Sequence, residues 1–304
     1  MEYITAKQAA GRWGISDRRV RFLCAAGRID GAIEMDGAYL IPADVPKPVD
    51  ARTLRGFRIP EGFAKRFANI DAIKADMDNH RPLTQGESLR LKEEFMIEFT
   101  YNSNAIEGNA LTLKETALVL QGLTIDQKPL KDHLEAAGHR DAFLFVRGLV
   151  TDAEILTERI IKDIHSLVLI DRPEDKGAYR RIPARIAGAH QEPPEPYMIP
   201  QLMEQLVKWN SKARLHPIEL AAEFHLRFEG IHPFVDGNGR TGRLLMNLML
   251  MQSGYPPINV KFQDRKRYYD AFDSYYKDNS SGPMVDIIAG YIEKELLRIR
   301  KILI

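Results

Sequence analysis

The sequence predicts a mainly α-helical fold, a helical bundle preceded by a small N-terminal winged helix-turn-helix. Three observations predict it. From Leu83 onward, apolar residues recur at spacings of three and four in one stretch after another. Two Thr-x-x-Glu boxes, Thr84…Glu87 and Thr112…Glu115, open such runs. The first 46 residues hold two short helical runs followed by a hairpin signal.

The N-terminal unit covers 1–46. Its first helix lies in ITAKQAAGRWG, with Thr5 as N-cap. Gly14-Ile15-Ser16 reads as a tight turn, and Asp17 to Ala26 as a second helix closed by Gly27. Ala32–Met35 and Ala38–Ile41 are short β-like pieces, and Asp36-Gly37 between them favours a hairpin turn. Pro46 and Pro48 end the unit, and 47–82 is a connector of mixed, partly basic character. The main domain, 83–304, follows. After the two capping boxes, helices are expected at Lys131–Val150, Ala153–Ile170, Pro200–Ala213, Ile218–Glu229, Gly239–Gln252, Arg265–Asp278 and Met284–Lys301. Gly177–Pro200 carries five prolines and reads as a loop or irregular hairpin.

Composition narrows the function. The 304 residues are 44% hydrophobic and 28% charged, ordinary values for a globular chain. Lys+Arg number 43 against 42 Asp+Glu, a net charge of +1, so any nucleic-acid contact is local. The single cysteine, Cys24, excludes an intrachain disulfide and a Cys-rich zinc site. The opening residues show no apolar signal region, and no run is apolar enough to span a membrane. The cytoplasm is the expected compartment.

The chemistry concentrates in IHPFVDGNGRTGR, residues 231–243. His232 is a candidate general base, because imidazole titrates near neutral pH. Asp236 offers a hard oxygen suited to Mg²⁺. Gly237, Asn238 and Gly239 lead with little bulk into an apolar helix, where backbone N–H groups can face an anion. Arg240 and Arg243 lie three apart on one helix face, and guanidinium groups suit phosphate oxygens. Together these describe a nucleotide-phosphate site. His165 and His225 fall on apolar helical patterns and read as core histidines.

His232-Pro233-Phe234-Val235-Asp236-Gly237-Asn238-Gly239-Arg240-Thr241-Gly242-Arg243 resembles the complete Fic family signature, HPFx[D/E]GNGRxxR, with no departure. The resemblance extends over roughly 84–290. It implies an all-α fold with a short β-hairpin flap, here near 178–190, and transfer of AMP from ATP to a Tyr, Ser or Thr hydroxyl of a target protein. Under it, His232 takes the hydroxyl proton and Asp236 holds Mg²⁺. The 237–239 amides and the Asn238 side chain stabilise the α-phosphate, Arg240 holds the β-phosphate and Arg243 the γ-phosphate. Tyr268 or Tyr269 either lines the adenine pocket or packs its helix.

Thr100–Asn109, TYNSNAIEGN, resembles the family's inhibitory motif, [S/T]xxxE[G/N]. Ser103 and Glu107 are four apart and share a helix face. The resemblance implies that Glu107 occupies Arg243, or positions a water that removes AMP from a modified target. In the N-terminal unit, Arg18, Arg19 and Arg21 form a local basic cluster able to contact DNA. Against that, 1–50 holds seven basic and seven acidic residues, so protein contact or dimerisation with a second copy is the alternative. Removal of AMP, transfer of another nucleotide, and a DNA-binding regulator that senses nucleotide all remain rival readings.

Overall fold

The computed structural model describes residues 3–13, 16–25, 29, 31–35, 38–43, 45, 62–77, 79–184 and 192–303; the side chains of Arg19 and Phe22 are outside that description. The expected turns at Gly14-Ile15 and Asp36-Gly37, the Gly27 cap, most of the connector and flap positions 185–190 lie outside the described residues. The chain divides into two compact units, Met1–Arg55 with Lys65–Asn79, and Gly56–Ala64 with His80–Ile304.

In the first unit, α1 (Ala6–Trp13) and α2 (Asp17–Ala25) are followed by β2 (Ile33–Met35) and β3 (Ala38–Pro42). Thr5 caps α1 as expected. Its hydroxyl accepts from Gln8 N–H at 3.3 Å, and its own N–H donates to Gln8 Oε1 at 2.8 Å. Strand β1 (Tyr3–Thr5) is too short to show alternation in sequence, yet it pairs antiparallel with β3 and puts Ile4 opposite Ile41. Sheet order is β1-β3-β2. Ala9, Ala10 and Trp13 of α1, Val20, Leu23 and Cys24 of α2, and Ile41 of β3 form one buried core. Cys24 is thus a small core residue. The stretch 47–82 also holds a helix, α3 (Ala64–Met77), with Phe67 and Ile70 buried.

The second unit is helical: α4 (Gln85–Ile106), α5 (Leu113–Leu120), α6 (Leu130–Thr151), α7 (Glu158–Val168), α8 (Ile199–Lys212), α9 (Pro217–Ile231), α10 (Asn238–Gln252), α11 (Arg265–Asp278) and α12 (Gly282–Leu303). Both capping boxes form, on α4 and on α5. Helix α7 starts five residues later than the spacing suggests, because Thr157 takes the cap and accepts from Ile160 N–H. Helix α10 is central. It is buried from Arg240 through Leu250 and packs on α9, α6, α7 and α4. Its Leu and Met residues, from Leu244 to Leu250, suit the middle of a bundle, while its first turns bring polar side chains there too. The hairpin expected in the flap is not seen at 178–184, where the described residues form no strand. No helix among the described residues is long and apolar enough to cross a membrane.

Candidate active site

The site is built where α9 stops and α10 starts. Helix α9 ends because His232 adopts a left-handed conformation, φ 48° and ψ 61°, with Pro233 next. A non-glycine residue there costs of order 1–3 kcal/mol, so the surroundings must hold it. They do. Arg180, buried, donates from Nε to the His232 carbonyl at 2.8 Å, and its N–H reaches Pro233 O at 2.9 Å.

The loop is pinned from inside. Asn238 accepts from Phe234 N–H and donates to Phe234 O, both at 2.9 Å. His165 lies flat against Phe234, with centroids 3.6 Å apart, and meets Asp236 O through Nε2 at 2.9 Å. Its Nδ1 accepts from Gly177 N–H, which fixes Nε2 as the donor. His165 is therefore a brace as well as a core residue. The Asn238 side chain, expected on the α-phosphate, is instead committed to the loop. Only its backbone N–H, with those of Gly239 and Arg240, precedes the first intrahelical bond, Thr241 N–H to Gly237 O. Gly237 at φ 77° makes that turn. These leading amides and the helix dipole favour an anion.

Burial pushes the His232 imidazole down to about 4, and Arg180 adds to this. It is neutral at physiological pH and can accept a proton. Its Nδ1 stands 3.7 Å from Glu229 Oε2. Burial pushes that carboxyl up to about 8, helped by the charge of Glu107. Burial also works against the Asp236 carboxylate, but Arg240, the Gly237 N–H, Lys131 and Arg172 hold it below its usual range.

The two motif arginines are buried to within 1% of their surface. Arg240 pairs with Glu135 of α6 at 3.1 Å and with Asp236 at 3.3 Å. Its Nε is buried and has no hydrogen-bond partner among the described residues. Arg243 donates to Ser103 Oγ at 3.0 Å, to Ser103 O at 2.7 Å and to Glu107 Oε1 at 2.8 Å. Burial disfavours its charge, but Glu107 and Tyr268 outweigh that and raise it. Glu107 also caps the end of α4, so helix-end and arginine-partner roles coincide. A Cβ at Gly239 would lie 2.2 Å from Glu107 Oε1, so only glycine lets the carboxylate approach this closely.

Tyr268 is buried and bonds His225 Nε2 at 2.5 Å, a packing role for both. Tyr269 is 47% exposed and donates to Ile106 O at 3.3 Å, at the end of the helix that carries Glu107. Arg18 and Arg21 belong to the other unit, exposed on α2, where Arg21 pairs with Asp17. Sequence reasoning missed Glu135 and Glu229, because charged residues at helical spacing look like a solvated face, and Arg172 and Arg180, because charged residues between helices look like ordinary loop positions.

A metal ion has one carboxylate here, Asp236; no group of three or more His, Cys, Asp or Glu among the described residues could hold one. That donor set fits Mg²⁺, which keeps its waters and binds through one or two carboxylates plus substrate phosphates.

Comparison with known proteins agrees with this geometry. The Fic/DOC family model matches residues 155–250, which span His165, the Arg180 brace and the whole 232–243 segment. Protein adenylyltransferase Fic of Drosophila melanogaster is 35% identical over 260 residues, 84% of this chain and 49% of that protein. The same-named protein of Drosophila yakuba is 34% identical over the same shares. The chain thus spans about half the length of the curated relatives it matches. Among solved structures, a Fic domain containing signaling protein from Bacteroides thetaiotaomicron superposes with a TM-score of 0.69 at 30% identity, covering 76% of this chain and 94% of that one. Fic-1 of C. elegans (residues 134–508) gives 0.67 at 27% identity, covering 77% and 70%. With a signature-bearing loop braced from both sides and a 30%-identical relative matched over nearly its full length, this chain belongs to the Fic/DOC family.

Proposed function

We propose that the protein moves AMP from ATP to a Tyr, Ser or Thr hydroxyl of a target protein, and that Glu107 restrains this activity. The observation that carries the reading is a half-buried His232, held neutral, beside an amide cradle and two buried arginines. The target hydroxyl oxygen attacks the α-phosphorus as its proton passes to His232. The bond to the bridging oxygen of the β-phosphate breaks, and pyrophosphate leaves. The 238–240 amides offset the charge that builds on the α-phosphate. Arg240 faces the β-phosphate and Arg243 the γ-phosphate, while Tyr269 borders the adenine side. Asp236 would hold Mg²⁺, which would supply positive charge against the triphosphate.

The test is incubation of the Glu107→Gly variant with ATP, Mg²⁺ and a cell extract, followed by mass spectrometry. Covalent gain of AMP on protein hydroxyls is the expected result. Nucleotide binding with no modified protein would point to a sensor. Loss of AMP from a modified target, in the protein that retains Glu107, would point to removal.

For the N-terminal unit we infer a winged helix-turn-helix over 1–46 that contacts DNA through Arg18, Arg19 and Arg21. The two-helix and antiparallel-strand arrangement and the exposure of Arg18 and Arg21 support it. Affinity for DNA should then fall with salt, by about 0.9 in the log–log slope per phosphate contact. Arg18→Ala should weaken binding and flatten that slope. Absence of retention on any DNA at low salt would favour protein contact instead.

A further inference from the structure

Asp236 is ringed by more positive charge than the 232–243 segment supplies. Besides Arg240, two cations from elsewhere act on its carboxylate: Lys131 from the first turn of α6, and Arg172 from the turn after α7. Arg172 Nη2 stands 3.4 Å from Asp236 Oδ2. The other oxygen, Oδ1, is already taken by the Gly237 N–H at 2.6 Å and by Arg240.

The Arg172 backbone is well fixed. The N–H groups of Asp175 and Lys176 both donate to its carbonyl at 3.1 Å. Gly177 N–H bonds His165, the residue that also holds the Asp236 carbonyl. The guanidinium therefore hangs from a rigid turn at the mouth of the site. Its contact with Asp236 is long and single, between side chains 36% and 32% exposed. A pair of that kind contributes little to stability, so the fold does not account for it.

Charge balance suggests what does. A nucleoside triphosphate brings about four negative charges. Arg243 is engaged by Glu107 and Ser103, and Arg240 by Glu135 and Asp236. Arg172 is the half-exposed arginine beside them, and among the described residues its guanidinium is paired with Asp236 Oδ2 alone. Both Arg172 and Arg240 reach the same carboxylate, so a phosphate that meets Arg240 lies one side-chain swing from Arg172.

We propose that Arg172 is a further nucleotide-binding residue, which leaves Asp236 and takes an oxygen of the β-phosphate when nucleotide enters. The inference rests on the nucleotide-transfer reading above. Lys131, 49% exposed and 3.5 Å from Glu135, extends the same positive rim.

Titration calorimetry of the full chain with AMP and with ADP, both in Mg²⁺, tests it. Arg172→Gln should weaken ADP binding ~10-fold and AMP binding less than ~2-fold, with Arg172→Lys recovering part of the loss. The thermal midpoint should stay at the wild-type value, because the resting pair is exposed and weak. Unchanged or tighter ADP binding overturns the proposal, and so does an equal loss for AMP and ADP. If the wild-type protein binds neither nucleotide, the nucleotide-transfer reading fails and takes this one with it. If the wild type prefers ADP and the variant keeps that preference, only the role of Arg172 fails.

Discussion

His232→Ala is expected to cut AMP transfer by ~10²–10⁴-fold, the usual worth of a positioned general base. ATP affinity should change little, because the groups proposed to face the phosphates, the 238–240 amides, Arg240 and Arg243, belong to α10 and not to this side chain. The fold should survive. The strain at this position lies in its left-handed backbone, and Arg180 holds it through carbonyl oxygens at 232 and 233 that alanine keeps. The pH profile adds a second check. With the imidazole pushed down to about 4, the base is already unprotonated at pH 5. Protonation removes the base, so transfer should fall only as pH drops toward 4. From pH 5 to pH 8 the single-turnover rate should be nearly flat. A rate that climbs tenfold per pH unit between 5 and 7 would mean the base titrates near its ordinary value, and the burial of His232 would not be what tunes it. Wild-type transfer by His232→Ala would remove the role altogether.

The parts of the site that sequence made legible share one property: their partners are close in the chain. His232, Asp236, the glycines and both arginines fall within one short segment, and each residue type declares its chemistry. Ser103 and Glu107 are the exception: resemblance to the family's inhibitory motif marked them, and their partner Arg243 lies 140 and 136 positions away. Thr5, Thr84 and Thr112 were visible because a cap is a local hydrogen bond. What sequence hid was decided by packing across distance. Glu135 meets Arg240 only because α6 lies along α10, and on its own helix it resembles any exposed glutamate. Arg172 and Asp236 are brought together by a turn 64 positions upstream of the loop. Asn238 reads as a phosphate ligand from its position, yet its amide is spent on Phe234, which no local pattern shows. Helix α3 was hidden differently. Lys65, Arg66 and Lys74 break up its apolar stripe, leaving Phe67 and Ile70 as its buried residues.

Glu107→Gly is expected to raise AMP incorporation by about 10–100-fold, the range of one charge-assisted hydrogen bond of ~1.5–3 kcal/mol. The carboxylate holds Arg243 at 2.8 Å, and under the proposed mechanism a γ-phosphate would compete for the same guanidinium. Removing it takes away the carboxylate paired with a buried guanidinium, which keeps neutral acceptors, Ser103 Oγ and Ser103 O. Glu107 is 34% exposed on its side chain but Arg243 only 1%, so loss of the pair should lower the thermal midpoint without unfolding the protein. Glycine could fray the end of α4, where Gly108 already has φ 95°. Glu107→Gln separates the two effects, because it keeps the side-chain shape and removes the charge. It should gain activity in the same direction, by a smaller factor, with α4 unfrayed. The gain must also depend on Arg243. Glu107→Gly combined with Arg243→Ala should be no more active than Arg243→Ala alone, the non-additivity that a direct contact produces. Incorporation of labelled AMP by wild type, both single variants and the double variant decides it. A gain that persists without Arg243 would mean that Glu107 acts elsewhere, through its 2.2 Å approach to the Cβ position of Gly239 or its charge on Glu229. No gain at all would leave Glu107 as a helix cap or as the residue that positions water for AMP removal.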